Sequence, residues 1–185
     1  MEVYGVFVAI IFKFNYEICS LHRLGWELKC NIEVSSMEAV IFTGLQATGK
    51  STFYKDRLYK THIRINLDML KTRNKENIIL EACIKAKQPF VVDNTNPTQE
   101  DRKKYIDMAK AAKFKVVGYY FHSSVNEAIL RNDKRIGKER VSLIGIRSTS
   151  AKLQIPRMEE GFDELYYVSI SEENNFLVEG WKDEI

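Results

Sequence analysis

The sequence predicts a three-layer α/β/α sandwich around a mostly parallel sheet, and three observations predict it. From Met37 onward, short apolar runs alternate with longer helix-patterned stretches, which is how parallel strands joined by crossover helices read. The runs holding Val91-Val92 and Val116-Val117 are β-branched and lack strict alternation, as expected of strands covered by helices on both faces. A glycine-bounded loop, Gly44 to Ser51, lies between the first apolar run and the first helical stretch.

Taken in order, the apolar runs give strands over residues 39–43, 62–66, 90–93, 115–121 and 165–170. The stretches between them give helices over 50–59, 75–86, 98–112, 125–135 and 143–152. Thr98 is placed to cap the third helix, with Asp101 as its capping-box partner. No internal repeat, low-complexity tract or Pro/Gly/Ser linker interrupts this order, and the one charge-dense stretch runs from Arg131 to Arg140.

A chain of 185 residues suits one domain with a real core. Its composition, 45% hydrophobic and 29% charged, is that of a globular protein and gives no reason to invoke disorder. A net charge of +3 is too small to mark a dedicated nucleic-acid binder and leaves the substrate class open. Cys19, Cys30 and Cys83 form no CxxC pair, so neither a zinc site nor a disulfide framework is expected, and a reducing cytoplasm fits best.

Residues 1–36 stand apart from residues 37–185. The apolar run Val3 to Phe12 is shorter than the ~20 residues of a membrane span. The segment also lacks the basic start and small-residue cleavage site of a secretory signal, and no stable membrane partner is expected. It reads as an extra strand or hairpin, as an interfacial anchor, or as sequence upstream of a true start at Met37. The last is favoured, because the first core strand begins directly after Met37 and nothing catalytic needs the preceding residues.

Gly44-Leu45-Gln46-Ala47-Thr48-Gly49-Lys50-Ser51 matches GxxxxGK[ST], after a strand and before a helix, as the mechanism of a phosphate loop requires. Gly44 and Gly49 let the backbone wrap a phosphate so that its N–H groups face the anion, and Lys50 adds a movable positive charge. Ser51 would set its hydroxyl on a Mg2+ ion bridging the terminal phosphates of ATP. Thr52 completes the loop's expected ATP contacts. The rival is a glycine-containing turn with no ligand.

On the acceptor side, Arg64-Ile65-Asn66-Leu67-Asp68 ends in a carboxylate at the C-terminal edge of the sheet. Asp68 could accept a proton from an acceptor hydroxyl held in line with the γ-phosphate, or it could cap the helix beginning near Met69. Taken together, the loop GLQATGKST, the segment RINLD, the strand exit VDNTNP and the closing PRMEEGFDELYYV resemble the polynucleotide 5′-hydroxyl kinase family. The likeness extends to the small bacterial ATP-binding proteins grouped with that family, and it covers residues 37–170.

The resemblance implies a P-loop kinase fold in which Asp68 activates a 5′-hydroxyl and Lys71 grips the acceptor's phosphate. It further implies that Asp93 and Asn94 line the acceptor pocket, with Asp93 also holding a Mg2+-bound water. Arg135 would be the lid arginine over the ATP phosphates, with Arg131, Lys138 and Arg140 as substitutes. Turn chemistry explains the Asp93–Pro97 block equally simply, and a solvated charge run explains the lid. Relatives that repair strand ends often carry a phosphatase domain, for which this length leaves no room.

Two function classes follow. One is a kinase acting on a polynucleotide 5′-hydroxyl or a small metabolite; the other is an ATP-binding regulatory module without a phosphorylated product. Whether Asp68 and Arg135 converge on one cleft next to Lys50 discriminates between them.

Overall fold

The computed structural model describes residues 37–171, 173 and 175–182 of the chain, so the expectations for residues 1–36 lie outside the described residues. The strands are β1 (Glu38–Gly44), β2 (Ile63–Ile65), β3 (Phe90–Val92), β4 (Lys115–Phe121), β5 (Glu164–Ile170) and β6 (Phe176–Gly180). The α-helices are α1 (Lys50–Phe53), α2 (Leu67–Leu70), α3 (Arg73–Lys85), α4 (Gln99–Ala111), α5 (Val125–Asp133) and α6 (Leu143–Lys152).

The six strands form one sheet in the order β2-β3-β1-β4-β5-β6. All neighbours are parallel except β6, which runs antiparallel to β5. Successive residues of a strand face opposite sides, so β1 feeds two cores. Ala39 and Ile41 pack with Leu80 of α3 and Tyr105, Ile106 and Ala109 of α4. Val40 and Phe42 pack on the other face with Phe53, Phe121 and Val168. This is the expected three-layer sandwich, and the absence of alternation in β3 and β4 follows from both faces being covered.

Four expectations need correction. The helix over 50–59 is α-helical only to Phe53 and continues through a π-helical turn, Tyr54–Leu58. Asp68 does not cap a helix: the cap of α2 is Asn66, whose side chain accepts from the Met69 N–H. The helix expected to reach Arg135 ends at Asp133, so Arg135 lies on the connection beyond it. Strand β6 was not expected at all.

The exits of the central strands are stitched by amide side chains. Asn96 donates from Nδ2 to the Phe42 carbonyl at 2.8 Å, Asn66 donates from Nδ2 to the Asp93 carbonyl, and the Gly44 N–H donates to the Thr95 carbonyl at 3.0 Å. Each bond ties a site-bearing loop to the exit of a neighbouring strand. Thr98 and Asp101 form the expected capping box of α4.

Candidate active site

The loop after β1 adopts the conformations that its glycines permit. Gly44 has φ +147°, Ala47 +61° and Gly49 +89°. At Gly49 the requirement is double, because an added Cβ would sit 2.9 Å from Cε1 of Phe176 and 3.1 Å from Cδ1 of Ile170. Left-handed backbone and close approach both demand glycine. The missed strand β6 therefore packs against the phosphate loop.

Lys50 is buried at the start of α1 and donates from Nζ to the Gly44 carbonyl at 3.0 Å and to the Leu45 carbonyl. Burial lowers its pKa to about 8; Asp93 and Asp68 pull it back up, and Arg135 adds to the lowering. Thr48 closes the loop on itself, its Oγ1 donating to the Leu45 carbonyl at 2.9 Å. Gln46 reaches out of the loop, donating from Nε2 to Thr149 Oγ1 on α6 at 2.8 Å.

A cleft of about 580 Å³ opens over this loop. Its walls include Gln46, Ala47, Thr48, Gly49, Lys50, Ser51 and Thr52 from the loop and α1. Asp68 and Lys71 come from the β2 side, Asp93 and Asn94 from the end of β3, and Arg135 from beyond α5. The structure thus brings Lys50, Asp68 and Arg135 to one cleft. Gly44 and Leu45 form the loop's buried root, behind the cleft wall.

Arg131 is placed elsewhere: Nη1 donates to Ser123 Oγ at 2.9 Å and Nη2 lies 3.6 Å from Glu127. Arg140 pairs with Asp133 at 2.7 Å, and the side chain of Lys138 lies outside the described residues. The segment carrying Arg135 is clipped at its base by Asn132, a fully buried residue. Its Nδ2 donates to the Val141 carbonyl at 2.8 Å and its Oδ1 accepts from the Val141 N–H at 2.9 Å.

Asp93 is almost fully buried, and its Oδ2 accepts from Ser51 Oγ at 2.8 Å and from Arg64 Nε at 2.8 Å. Arg64 also donates from Nη2 to Ser51 Oγ at 2.8 Å, and its guanidinium lies 5.6 Å from the Tyr54 ring centroid. Arg64 was missed as a site residue. The available signal was a lone arginine between two isoleucines, Ile63-Arg64-Ile65. Asp68 is exposed at the cleft, one residue into the short helix α2.

The Ser51 hydroxyl and the Asp93 carboxylate are hard oxygen donors side by side beside the loop. Their donor chemistry suits a Mg2+ ion, which takes few protein ligands and completes its shell with phosphates and water, but the Arg64 guanidinium holds both oxygens and would have to release them. Among the described residues, no group of three or more His, Cys, Asp or Glu could hold a metal by itself. A roomier hollow of about 950 Å³, lined by Arg157, Glu159, Glu160, Trp181 and Lys182 among others, has no glycine loop to take a phosphate. No helix among the described residues is long and apolar enough to cross a membrane.

A glycine loop with a buried lysine, set at a strand–helix junction of a five-stranded parallel core, defines a P-loop α/β protein with the fold of P-loop kinases. The chain belongs to the AAA domain family, whose model matches residues 72–164, half of the sequence. It is similar to the bifunctional polynucleotide phosphatase/kinase of Schizosaccharomyces pombe, at 32% identity over 68% of this chain and 32% of the relative. The chain spans about a third of the length of the curated relatives it matches. Its fold resembles a gluconokinase from Sinorhizobium meliloti 1021 (TM-score 0.53, 17% identity, 71% of this chain and 82% of that one). It also resembles Chaetomium thermophilum Kti12 in complex with ADP-AlF3 (TM-score 0.53, 16% identity, 74% and 92%).

Proposed function

We propose that the chain transfers the γ-phosphoryl group of Mg-ATP to a hydroxyl, with a polynucleotide 5′-hydroxyl as the acceptor. The observation that carries the reading is the shared cleft: Asp68 and Arg135 line it together with Lys50. A kinase needs a base, a lysine and a charge-stabilising arginine within reach of one γ-phosphate, whereas a regulatory module has no use for the base. The name of the fission-yeast relative supports the choice of acceptor.

In this reading, loop N–H groups from Gln46 to Ser51 and the Lys50 ammonium bind the phosphates. Ser51 and Asp93 would hold Mg2+, which neutralises charge on the terminal phosphates when bound. Asp68 accepts the proton of the attacking hydroxyl and aims its oxygen at phosphorus. Arg135 closes from its clipped segment onto the oxygens where charge accumulates. Lys71, exposed at the C-terminal end of α2, would meet an acceptor phosphate.

The test is transfer of labelled γ-phosphate from Mg-ATP to 5′-hydroxyl DNA and RNA oligonucleotides, with wild type and Asp68→Ala compared. Labelled ends that disappear in the variant are expected. Intact nucleotide binding with no labelled oligonucleotide would sink the acceptor and direct the search to small hydroxyl-bearing metabolites.

A further inference from the structure

We propose that Glu76 is a positioning residue for this site: through Asn94 it holds the turn of α2 that carries Asp68. The inference rests on the phosphotransferase reading for its catalytic consequence, while the geometry behind it stands on its own.

Glu76 lies in the first turn of α3 and has no exposed surface. A buried carboxylate is costly unless its oxygens are fully served by donors. Here both are. Arg73 Nη1 and Lys104 Nζ each donate to Oε2 at 2.9 Å, and the Tyr105 hydroxyl and Asn94 Nδ2 each donate to Oε1 at 2.8 Å. Burial opposes ionisation of the carboxyl, but these donors outweigh it and hold its pKa down to about 2.

The charge has a directional consequence. An Asn amide can sit either way round, and a carboxylate accepts only its NH2 end. With Nδ2 committed to Glu76, Asn94 must turn its Oδ1 the other way, where it accepts from the Leu67 N–H at 2.9 Å. Leu67 is the first residue of α2 and the neighbour of Asp68.

Helix α2 has four residues, too few to hold its own shape. Its leading N–H groups have no partner within the helix. Asn94 takes that of Leu67, and Asn66 Oδ1 takes that of Met69 at 3.0 Å. A flipped Asn94 would set donor against donor at Leu67 and oxygen against carboxylate at Glu76. The buried charge thereby selects one amide orientation, and that orientation pins the turn bearing the base. Asn94, with its amide engaged on both sides, serves the acceptor wall as a fixed strut.

The experiment compares Glu76→Gln, Asn94→Ala and the double variant. Glutamine keeps the volume but presents an NH2 group that cannot accept from all four donors. Hydrogen exchange is followed on the peptide over residues 66–71 and on the phosphate loop over 44–51, alongside transfer kinetics. Expected are faster exchange over 66–71 in each variant with the loop unchanged, and kcat lower by about tenfold with KM for ATP unaltered. The double variant should lose no more than the worse single one, as two links of one chain do.

Wild-type exchange over 66–71 in Glu76→Gln, or losses that multiply in the double variant, would overturn the proposal. Should Glu76→Gln fail to fold, the half-buried Asn94→Ala carries the same exchange test. Should the wild type transfer phosphate to no acceptor, the functional reading fails, and exchange alone decides whether Glu76 positions the turn.

Discussion

Arg102 of α4 and Glu160 form a two-pronged buried ion pair, Nε to Oε2 at 2.7 Å and Nη2 to Oε1 at 2.6 Å. The remaining arm of the arginine, Nη1, donates to the carbonyls of Asn96 and Gln154, each at 3.1 Å. One guanidinium thus joins the turn that follows Asp93, the end of α6 and the segment leading into β5. Two sequence blocks that are distant in the chain, VDNTNP and PRMEEGFDELYYV, meet on this residue.

Removing one partner of such a pair leaves the other charge buried alone. Arg102→Ala or Glu160→Ala is expected to cost about 3–5 kcal/mol of folding stability, read from urea midpoints at constant slope. Arg102→Lys should recover little, because an ammonium cannot reproduce the fork that serves both a carboxylate and two carbonyls. A loss below about 1 kcal/mol, the range of a surface pair, would contradict the buried role assigned here.

The proposed base and the proposed lid arginine, Asp68 and Arg135, should separate kinetically. Asp68→Asn keeps the shape and removes the proton acceptor, so kcat should fall by about 10²–10⁴ while nucleotide affinity stays within a factor of about two. Arg135→Ala should lower kcat by about 10³ or more, with a smaller effect on ATP affinity. Equilibrium binding of a fluorescent nucleotide beside single-turnover transfer distinguishes the two effects. Equal loss of binding and turnover in Asp68→Asn would make Asp68 a structural residue.

The parallel strands were legible as short apolar, β-branched runs set between longer helix-patterned stretches, even where, as in β2 and β3, the strand itself is three residues. The phosphate loop was legible because its chemistry fixes its residue types. Strand β6 was not: it is five residues, four of them exposed, on the edge of the sheet. The four residues of α2 were equally short of signal, and Asp68 was only one reading of its cap, which Asn66 holds. Arg64 and Glu76 escaped because their roles depend on partners 29 and 18 residues away, a separation that no local pattern encodes.

The hidden strand matters for the loop. Gly49→Ala would press a methyl group to within 2.9 Å of the Phe176 ring while forcing a non-glycine residue to φ +89°. The expected outcome is loss of nucleotide binding together with a lowered thermal midpoint. Phe176→Ala in the same background removes the nearer clash but leaves the Ile170 contact at 3.1 Å and the backbone strain, so it should restore part of the stability. No restoration would assign the effect to the backbone and the Ile170 contact.

Lys50 makes both stability and nucleotide binding depend on pH. Its pKa in the folded protein, about 8, lies below the ordinary lysine value of 10.5 because burial disfavours the charge. Below pH 8 the folded protein keeps the ammonium at a cost that the unfolded chain does not bear. Between about 8 and 10.5 the folded state sheds a proton that the unfolded state retains, so this group makes stability rise with pH across that window. Nucleotide binding runs the opposite way: phosphates need the ammonium, so affinity should decline as pH rises through about 8, once the phosphates themselves are fully ionised. Lys50→Met should abolish binding and yet raise the thermal midpoint of the nucleotide-free protein at pH 7. That stability advantage should shrink as pH climbs from 8 towards 10.5. A variant less stable than the wild type at pH 7 would show that the lysine's bonds to the Gly44 and Leu45 carbonyls outweigh the cost of burying its charge.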